Sequence, residues 1–61
     1  MKYKIRYRTY DECGLVDGFS MIEAQSFVFE NGFVGIWTEF NNTQNPDLYI
    51  NIDDVFTIET L

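Results

Sequence analysis

The chain has 61 residues, of which 46% are hydrophobic and 18% aromatic, and its formal net charge is −6. It contains one cysteine and no histidine, which excludes an internal disulfide and the usual Cys/His zinc site. A chain of this length predicts a single domain, 1–61, whose stability depends on a small aromatic core or on self-association.

The first predicted strand carries every positive charge of the chain. Residues 2–9 alternate between apolar or hydroxyl side chains and four cations, which we call the cationic ladder: Lys2, Lys4, Arg6 and Arg8. A period of two predicts a half-buried strand with one charged face. Residues 9–61 contain ten carboxylates and neither lysine nor arginine, so the rest of the chain is anionic.

The cationic ladder has two interpretations. Side chains two residues apart on a strand are about 6.6 Å apart, which resembles the phosphate spacing of a nucleic-acid strand. Alternatively, the ladder offsets the surrounding carboxylates through cross-strand pairs and protects a sheet edge against aggregation. We favour the second interpretation, because ten carboxylates elsewhere repel a polyanion.

The next two segments are less regular. Residues 10–20 predict a long ordered loop or a ragged hairpin, whose apolar residues need somewhere to pack: Leu15, Val16 and Phe19. For residues 20–27 a strand and a helical turn are both open, since Ser20 and Glu23 have the spacing of a capping box. We favour the strand, because the segment continues directly into the following strand and is short for a helix.

Asn31-Gly32 between two apolar runs is a strong hairpin signal, because a type I′ turn needs positive φ at both central residues. A two-residue turn places Glu30 opposite Phe33 and so fixes the register of every other residue pair in the hairpin. Alternation then predicts a core face and a second face. The core face contains Phe27, Phe29, Val34 and Ile36, and the second face contains Ser26, Val28, Glu30, Phe33, Gly35 and Trp37.

The second face is unusually apolar and needs an explanation. Residues of the 10–20 segment could fold over it, or it could be an exposed anchor for a partner. An aromatic cluster with an acidic rim is typical of interface centres. Gly35 between Phe33 and Trp37 marks a place where neighbouring aromatics or another backbone come close.

The end of the chain carries a resemblance to known folds. Residues 41–46 predict a polar loop ending in Pro46, followed by the strand "LYINI" and a last strand "VFTIETL". The stretch "INIDDVFTIET", a strand, a tight turn at Asp53-Asp54 and a closing strand, resembles the end of an SH3-like or Sm-like small barrel. The fold class is therefore predicted as all-β, a five-stranded antiparallel SH3-like barrel or strongly twisted sheet.

No catalytic constellation is present in the sequence. Without a histidine, Cys13 has no obvious base, and Asp53-Asp54 is typical of a turn whose carboxylates bind the local backbone. We predict no enzyme activity, no catalytic or metal-binding residue and no cofactor. The absence of an apolar run of about 18 residues and of a secretory signal predicts a cytoplasmic protein without a membrane partner.

These patterns favour a non-enzymatic acidic module that binds a protein with a basic surface. In size and charge the chain is similar to acidic inhibitors encoded by phages and mobile elements, such as anti-CRISPR and anti-restriction proteins, which implies an inhibitor of a nucleic-acid-handling protein. The predicted partner-binding residues are Val28, Glu30, Phe33, Trp37, Glu39, Asp53 and Asp54. The alternatives are a nucleic-acid binder using Lys2, Lys4, Arg6 and Arg8, and a self-associating structural protein.

Overall fold

A computed structural model describes residues 2–38 and 44–61 of the protein. The all-β prediction is confirmed, but there are six strands rather than five, because the second half of segment 10–20 is part of a strand. No helix among the described residues is long and apolar enough to cross a membrane. The elements are β1 Tyr3–Tyr10, β2 Val16–Ala24, β3 Ser26–Glu30, β4 Phe33–Trp37, β5 Leu48–Asn51, a 3₁₀ helix Ile52–Asp54 and β6 Val55–Thr60.

The strands form two three-stranded antiparallel sheets instead of one continuous sheet. Sheet A has the order β2-β1-β6, and sheet B has the order β3-β4-β5. Within the described residues no strand of one sheet is hydrogen-bonded to a strand of the other, so the predicted closed barrel is not formed. The inner faces of the two sheets meet in one small core.

The cationic strand β1 lies in the middle of sheet A, between β2 and β6. The prediction that the cationic ladder protects a sheet edge is therefore wrong, because both edges of β1 are paired. Of the two arrangements left open for residues 10–20, the structure has the ragged hairpin, and Asp11 shapes its turn by accepting from the backbone N–H groups of Cys13 and Leu15, each at 2.9 Å. The register of this hairpin shifts between Thr9 and Tyr10.

Residues 20–24 continue β2, so the helical alternative for this segment is wrong. The chain then passes from sheet A to sheet B at the single residue Gln25, whose backbone N–H donates to the Trp37 carbonyl at 2.8 Å. The residues before Gln25 pair with β1 and those after it pair with β4, so both sides of this bend are held in strands. Long-range strand pairing therefore decides a conformation that the capping-box spacing of Ser20 and Glu23 left open.

The hairpin of sheet B has the predicted register. Glu30 pairs with Phe33 and Ser26 pairs with Trp37. Asn31 has φ +51° and Gly32 has φ +81°, the two positive values that a type I′ turn requires. The backbone N–H of Ile52 donates to the Gly32 carbonyl at 2.9 Å, which holds the 3₁₀ helix beside this turn.

The core is small and lies between the inner faces of the two sheets. Phe27 is only partly buried and packs edge-on against Tyr3, with ring centroids 4.9 Å apart. Phe29 shares this face but is 56% exposed, so its assignment to the core is wrong. Its strand β3 is an edge of sheet B, and its ring meets that of Phe27 edge-on, with centroids 5.6 Å apart. The buried hydrophobic residues are Ile5, Ala24, Val34, Ile36 and Ile50.

Candidate functional site

The outer face of sheet B carries most of the residues predicted to bind a partner. Register places Glu30, Phe33 and Asn51 in one row across the three strands. The next row contains Val28, Gly35 and Tyr49. Trp37 lies opposite Ser26 at the far end of β4 and is half-buried.

Gly35 shows what covers the middle of this face. A Cβ atom at this position would lie 2.7 Å from Cγ of Pro46 and 3.3 Å from Cε1 of Tyr49. The proline and the tyrosine therefore occupy the space that a side chain would need. This close approach explains why a glycine stands between two aromatic positions.

The 10–20 segment does not cover the second face of the hairpin, so this predicted arrangement is wrong. Leu15 and Val16 are exposed, and Phe19 is 76% exposed on the outer face of sheet A. The reason is that β2 pairs with β1, which carries these residues to the other sheet. The described atoms nearest to a Cβ at position 35 belong to Pro46 and Tyr49, before and within β5.

A shallow hollow remains open beside this covered centre, with a volume of about 300 Å³. We call it the acidic aromatic hollow; it is lined by Glu30, Asn31, Phe33 and Tyr49. Phe33 is 45% exposed and Tyr49 is 54% exposed, so both rings present surface to solvent. Glu30 is exposed and makes no ion pair within the described part of the chain. Two aromatic rings beside a free carboxylate can accept a cationic side chain.

The remaining predicted partner-binding residues are dispersed. Asp53 is exposed in the 3₁₀ helix, where its backbone N–H donates to Oδ1 of Asn51 at 2.9 Å. Asp54 points toward sheet A, where it accepts a hydrogen bond from the hydroxyl of Tyr10 and lies 3.8 Å from Arg8. Glu39 lies outside the described residues. Sheet register thus brings Val28, Glu30 and Phe33 together but not the acids of the chain's end.

The outer face of sheet A presents Lys4, Arg6 and Arg8 of the cationic ladder on its central strand. Lys4 has Glu23 opposite it on β2 and Glu59 opposite it on β6. Arg8 lies beside Asp54, and its Cζ is 5.3 Å from the ring centroid of Phe56. Two of the four cations therefore have carboxylates close by, as the charge-offsetting interpretation expects.

Arg6 differs from the rest of the ladder. Its neighbours in register are neutral, Met21 on β2 and Thr57 on β6. Its side chain is exposed and makes no ion pair or hydrogen bond among the described residues. Two shallow hollows, of about 270 and 300 Å³, meet at Arg6, and Phe19 lines both of them.

The sequence did not reveal the aromatic pair beside Arg6. Phe19 and Phe56 meet edge-on with ring centroids 5.6 Å apart, and Phe56 is 48% exposed. The register shifts between Arg6 and Tyr7 on β1, which leaves Phe56 as the extra residue of a bulge on β6. Simple alternation along the last strand does not predict the bulge at Phe56. The neutral neighbours of Arg6 can be inferred from the sequence only once the strand order is known.

No group of carboxylates and thiols that could hold a metal ion occurs within residues 2–38 and 44–61. Cys13 is exposed in the β1–β2 turn. In the comparisons with known proteins, no family model, curated protein or solved structure matches this chain.

Proposed function

We propose that the protein is a non-enzymatic interaction module that binds a partner with a basic surface through the outer face of sheet B. The observation that carries this proposal is the acidic aromatic hollow, where Glu30 stands free beside the exposed rings of Phe33 and Tyr49. A guanidinium or ammonium group gains from both the carboxylate and the negative faces of the rings. The occupant is a lysine or arginine side chain of the partner.

The net charge of the chain also favours a partner with a basic surface. The net charge is −6, and every lysine and arginine lies in the first eight residues. Sheet B therefore contributes carboxylates and no cation to its surroundings. The electrostatic field of a surface with one sign of charge raises the association rate with an oppositely charged partner, and this effect decreases as the salt concentration rises.

Phe33 is the strongest candidate for the anchor of this interface. It lines the acidic aromatic hollow and stands in register with Glu30. Val28 is exposed in the neighbouring row, while Trp37 is already half-buried by its own chain. Truncating an aromatic anchor at an interface centre typically costs about 2 kcal/mol or more of binding free energy.

The proposal extends to a relationship with small β-barrels and to a role as an inhibitor. A relationship to SH3-like or Sm-like barrels is supported by the 3₁₀ helix Ile52–Asp54 before the last strand and by the passage between sheets at Gln25. An inhibitor of phage or mobile-element type, occupying the basic groove of a nucleic-acid-handling protein in the cytoplasm, is supported by size and charge. Absence of enzyme activity is supported by the lack of histidine in the sequence.

The test is an NMR titration of the ¹⁵N-labelled chain with a short peptide of alternating arginine and glycine. We expect amide shifts to concentrate at Glu30, Asn31, Phe33 and Tyr49. Phe33→Ala should weaken binding by about tenfold or more. Phe29→Ala is the matched control, because Phe29 is similarly exposed but lies on the other face of the same hairpin. Equal affinity of wild type and Phe33→Ala, or shifts spread evenly over all acidic residues, would refute the proposed site.

Nucleic-acid binding by the cationic ladder is the second candidate function. The exposed rings of Phe19 and Phe56 beside Arg6 favour it, since aromatic rings stack with bases. The carboxylates opposite Lys4 oppose it. Binding of this kind should show steeply salt-dependent retention on single-stranded DNA or RNA, and no retention at low salt rejects it.

A further inference from the structure

The free cation of sheet A stands in apolar surroundings. Arg6 lies between one hollow lined by Phe19, Ser20 and Met21 and another lined by Phe19, Phe56 and Thr57. Lys4 has carboxylates opposite it on both sides, and Arg8 is occupied by Asp54 and Phe56. Among the described residues, Arg6 is the one of these three cations with neither a carboxylate opposite it in register nor an ion pair.

An arginine whose neighbours are neutral and largely apolar fits a particular kind of ligand. One carboxylate with aromatic groups beside it can pair with Arg6 while its rings cover Phe19 and Phe56. A run of phosphates fits less well, since it would bring negative charge against Glu23, Glu59 and Asp54 on the same face. The ligand chemistry is therefore an acidic aromatic protein surface.

The protein itself carries such a surface on sheet B. In the acidic aromatic hollow, Glu30 makes no ion pair among the described residues and lies beside the rings of Phe33 and Tyr49, and no lysine or arginine follows Arg8 in the sequence. We propose that the outer face of sheet A in one copy binds the outer face of sheet B in a second copy, with Arg6 paired to Glu30. This inference rests on the proposed function, because it uses the same hollow and identifies a second copy as one basic partner.

The distribution of apolar residues favours a second copy as the occupant. Among the described residues, twelve large hydrophobic side chains are exposed and five hydrophobic residues are buried. The contact would cover exposed aromatics on both sheets, Phe19 and Phe56 on one and Phe33 and Tyr49 on the other. Two different faces make the contact heterologous, so copies join head to tail. The net charge of −6 on every copy opposes this association and keeps it dependent on concentration.

The test is the oligomeric state of the full chain in a dilution series, measured by light scattering and sedimentation velocity. We expect wild type to associate as concentration rises, and Arg6→Glu and Glu30→Arg each to weaken association by about tenfold or more, because each places like charges face to face. An equimolar mixture of the two variants should recover association, since native and reversed pairs then both form.

Two controls match the change in net charge. Lys2→Glu alters the net charge as Arg6→Glu does, from the residue just before β1, and Glu12→Arg matches Glu30→Arg from an exposed turn. Both controls should associate much as wild type does. If Lys2→Glu were as disruptive as Arg6→Glu, the effect would come from total charge and the proposed pair would be wrong. Arg6→Gln and Glu30→Gln repeat the test should a reversed variant fail to give a dispersed NMR spectrum.

Three further outcomes overturn the inference: a wild-type monomer at all concentrations, a mixture of variants that stays monomeric, or binding of a labelled single-stranded oligonucleotide by the monomer that Arg6→Glu abolishes. The arginine–glycine peptide separates this inference from the proposed function. Wild type that binds the peptide through Phe33 and never associates refutes the head-to-tail contact alone. Association without peptide binding at Phe33 refutes the general basic-partner proposal instead.

Discussion

The outer faces of sheet A and sheet B both carry exposed aromatic rings, but their charges are arranged differently. On sheet A the cations lie on the central strand, where Lys4 and Arg8 have carboxylates beside them. On sheet B, Glu30 lies on an edge strand and forms no ion pair with a cation among the described residues. A central strand has neighbours on both sides that can supply counter-charge, whereas an edge strand has one. Arg6 and Glu30 have no opposite charge beside them in register, so each can bind a charged group of a ligand.

The largest expected effect comes from removing the support that both faces share. Ile5 is fully buried on the central strand of sheet A, directly behind the cationic ladder. Ile5→Ala should lower the free energy of unfolding by about 2 to 5 kcal/mol, which approaches the whole stability of so small a domain. Urea unfolding followed by circular dichroism measures it. Lys4→Ala, the adjacent residue on the outer face, is the control and should cost much less; equal losses would contradict the assigned faces.

A smaller loss is expected from disturbing the cover of sheet B alone. Gly35→Ala places a Cβ atom 2.7 Å from Cγ of Pro46, so the proline or its loop must move. We expect a loss of about 1 to 3 kcal/mol in the free energy of unfolding, the usual range for overpacking. Pro46→Ala in the same chain removes the clashing atom and should restore part of the loss. A double-mutant cycle with zero coupling would show that Pro46 does not cover Gly35.

The smallest expected effect compares two arginines of one ladder. Arg8 lies 3.8 Å from Asp54 and 5.3 Å from the ring of Phe56, whereas Arg6 has neither contact. Arg8→Ala should therefore lower stability by roughly 0.5 to 1 kcal/mol, since its ion pair is partly exposed. Arg6→Ala should leave it nearly unchanged. Denaturant midpoints at equal slope make this comparison, and a larger loss for Arg6 would show that its charge is paired within the molecule.

The sequence predicted the local features of this fold well. Asn31-Gly32 identified the hairpin, its turn type and its register, because positive φ at two consecutive residues is a local requirement. The alternation of residues 2–9 correctly indicated a strand with one charged face. The predicted set on the second hairpin face includes Glu30 and Phe33 of the acidic aromatic hollow.

The errors have one physical cause, which is long-range pairing. Strand order puts β1 in the centre of a sheet rather than at its edge. It also places Phe19 on sheet A, away from the hairpin face that the 10–20 segment covers in one of the two interpretations. Phe29 was placed in the core by alternation, yet an edge strand left it half in solvent. Alternation determines which side a residue faces but not whether another element lies on that side.

By itself, then, the sequence determined the all-β class, the hairpin register and the confinement of every lysine and arginine to the first eight residues. These depend on backbone geometry and on the order of residues within a few positions. The tertiary structure decided that Tyr49 and Pro46 cover Gly35, and that the bulge at Phe56 brings an aromatic ring to Arg8. Such contacts join residues that are far apart in the chain, so they exist only once distant strands have paired within their sheet.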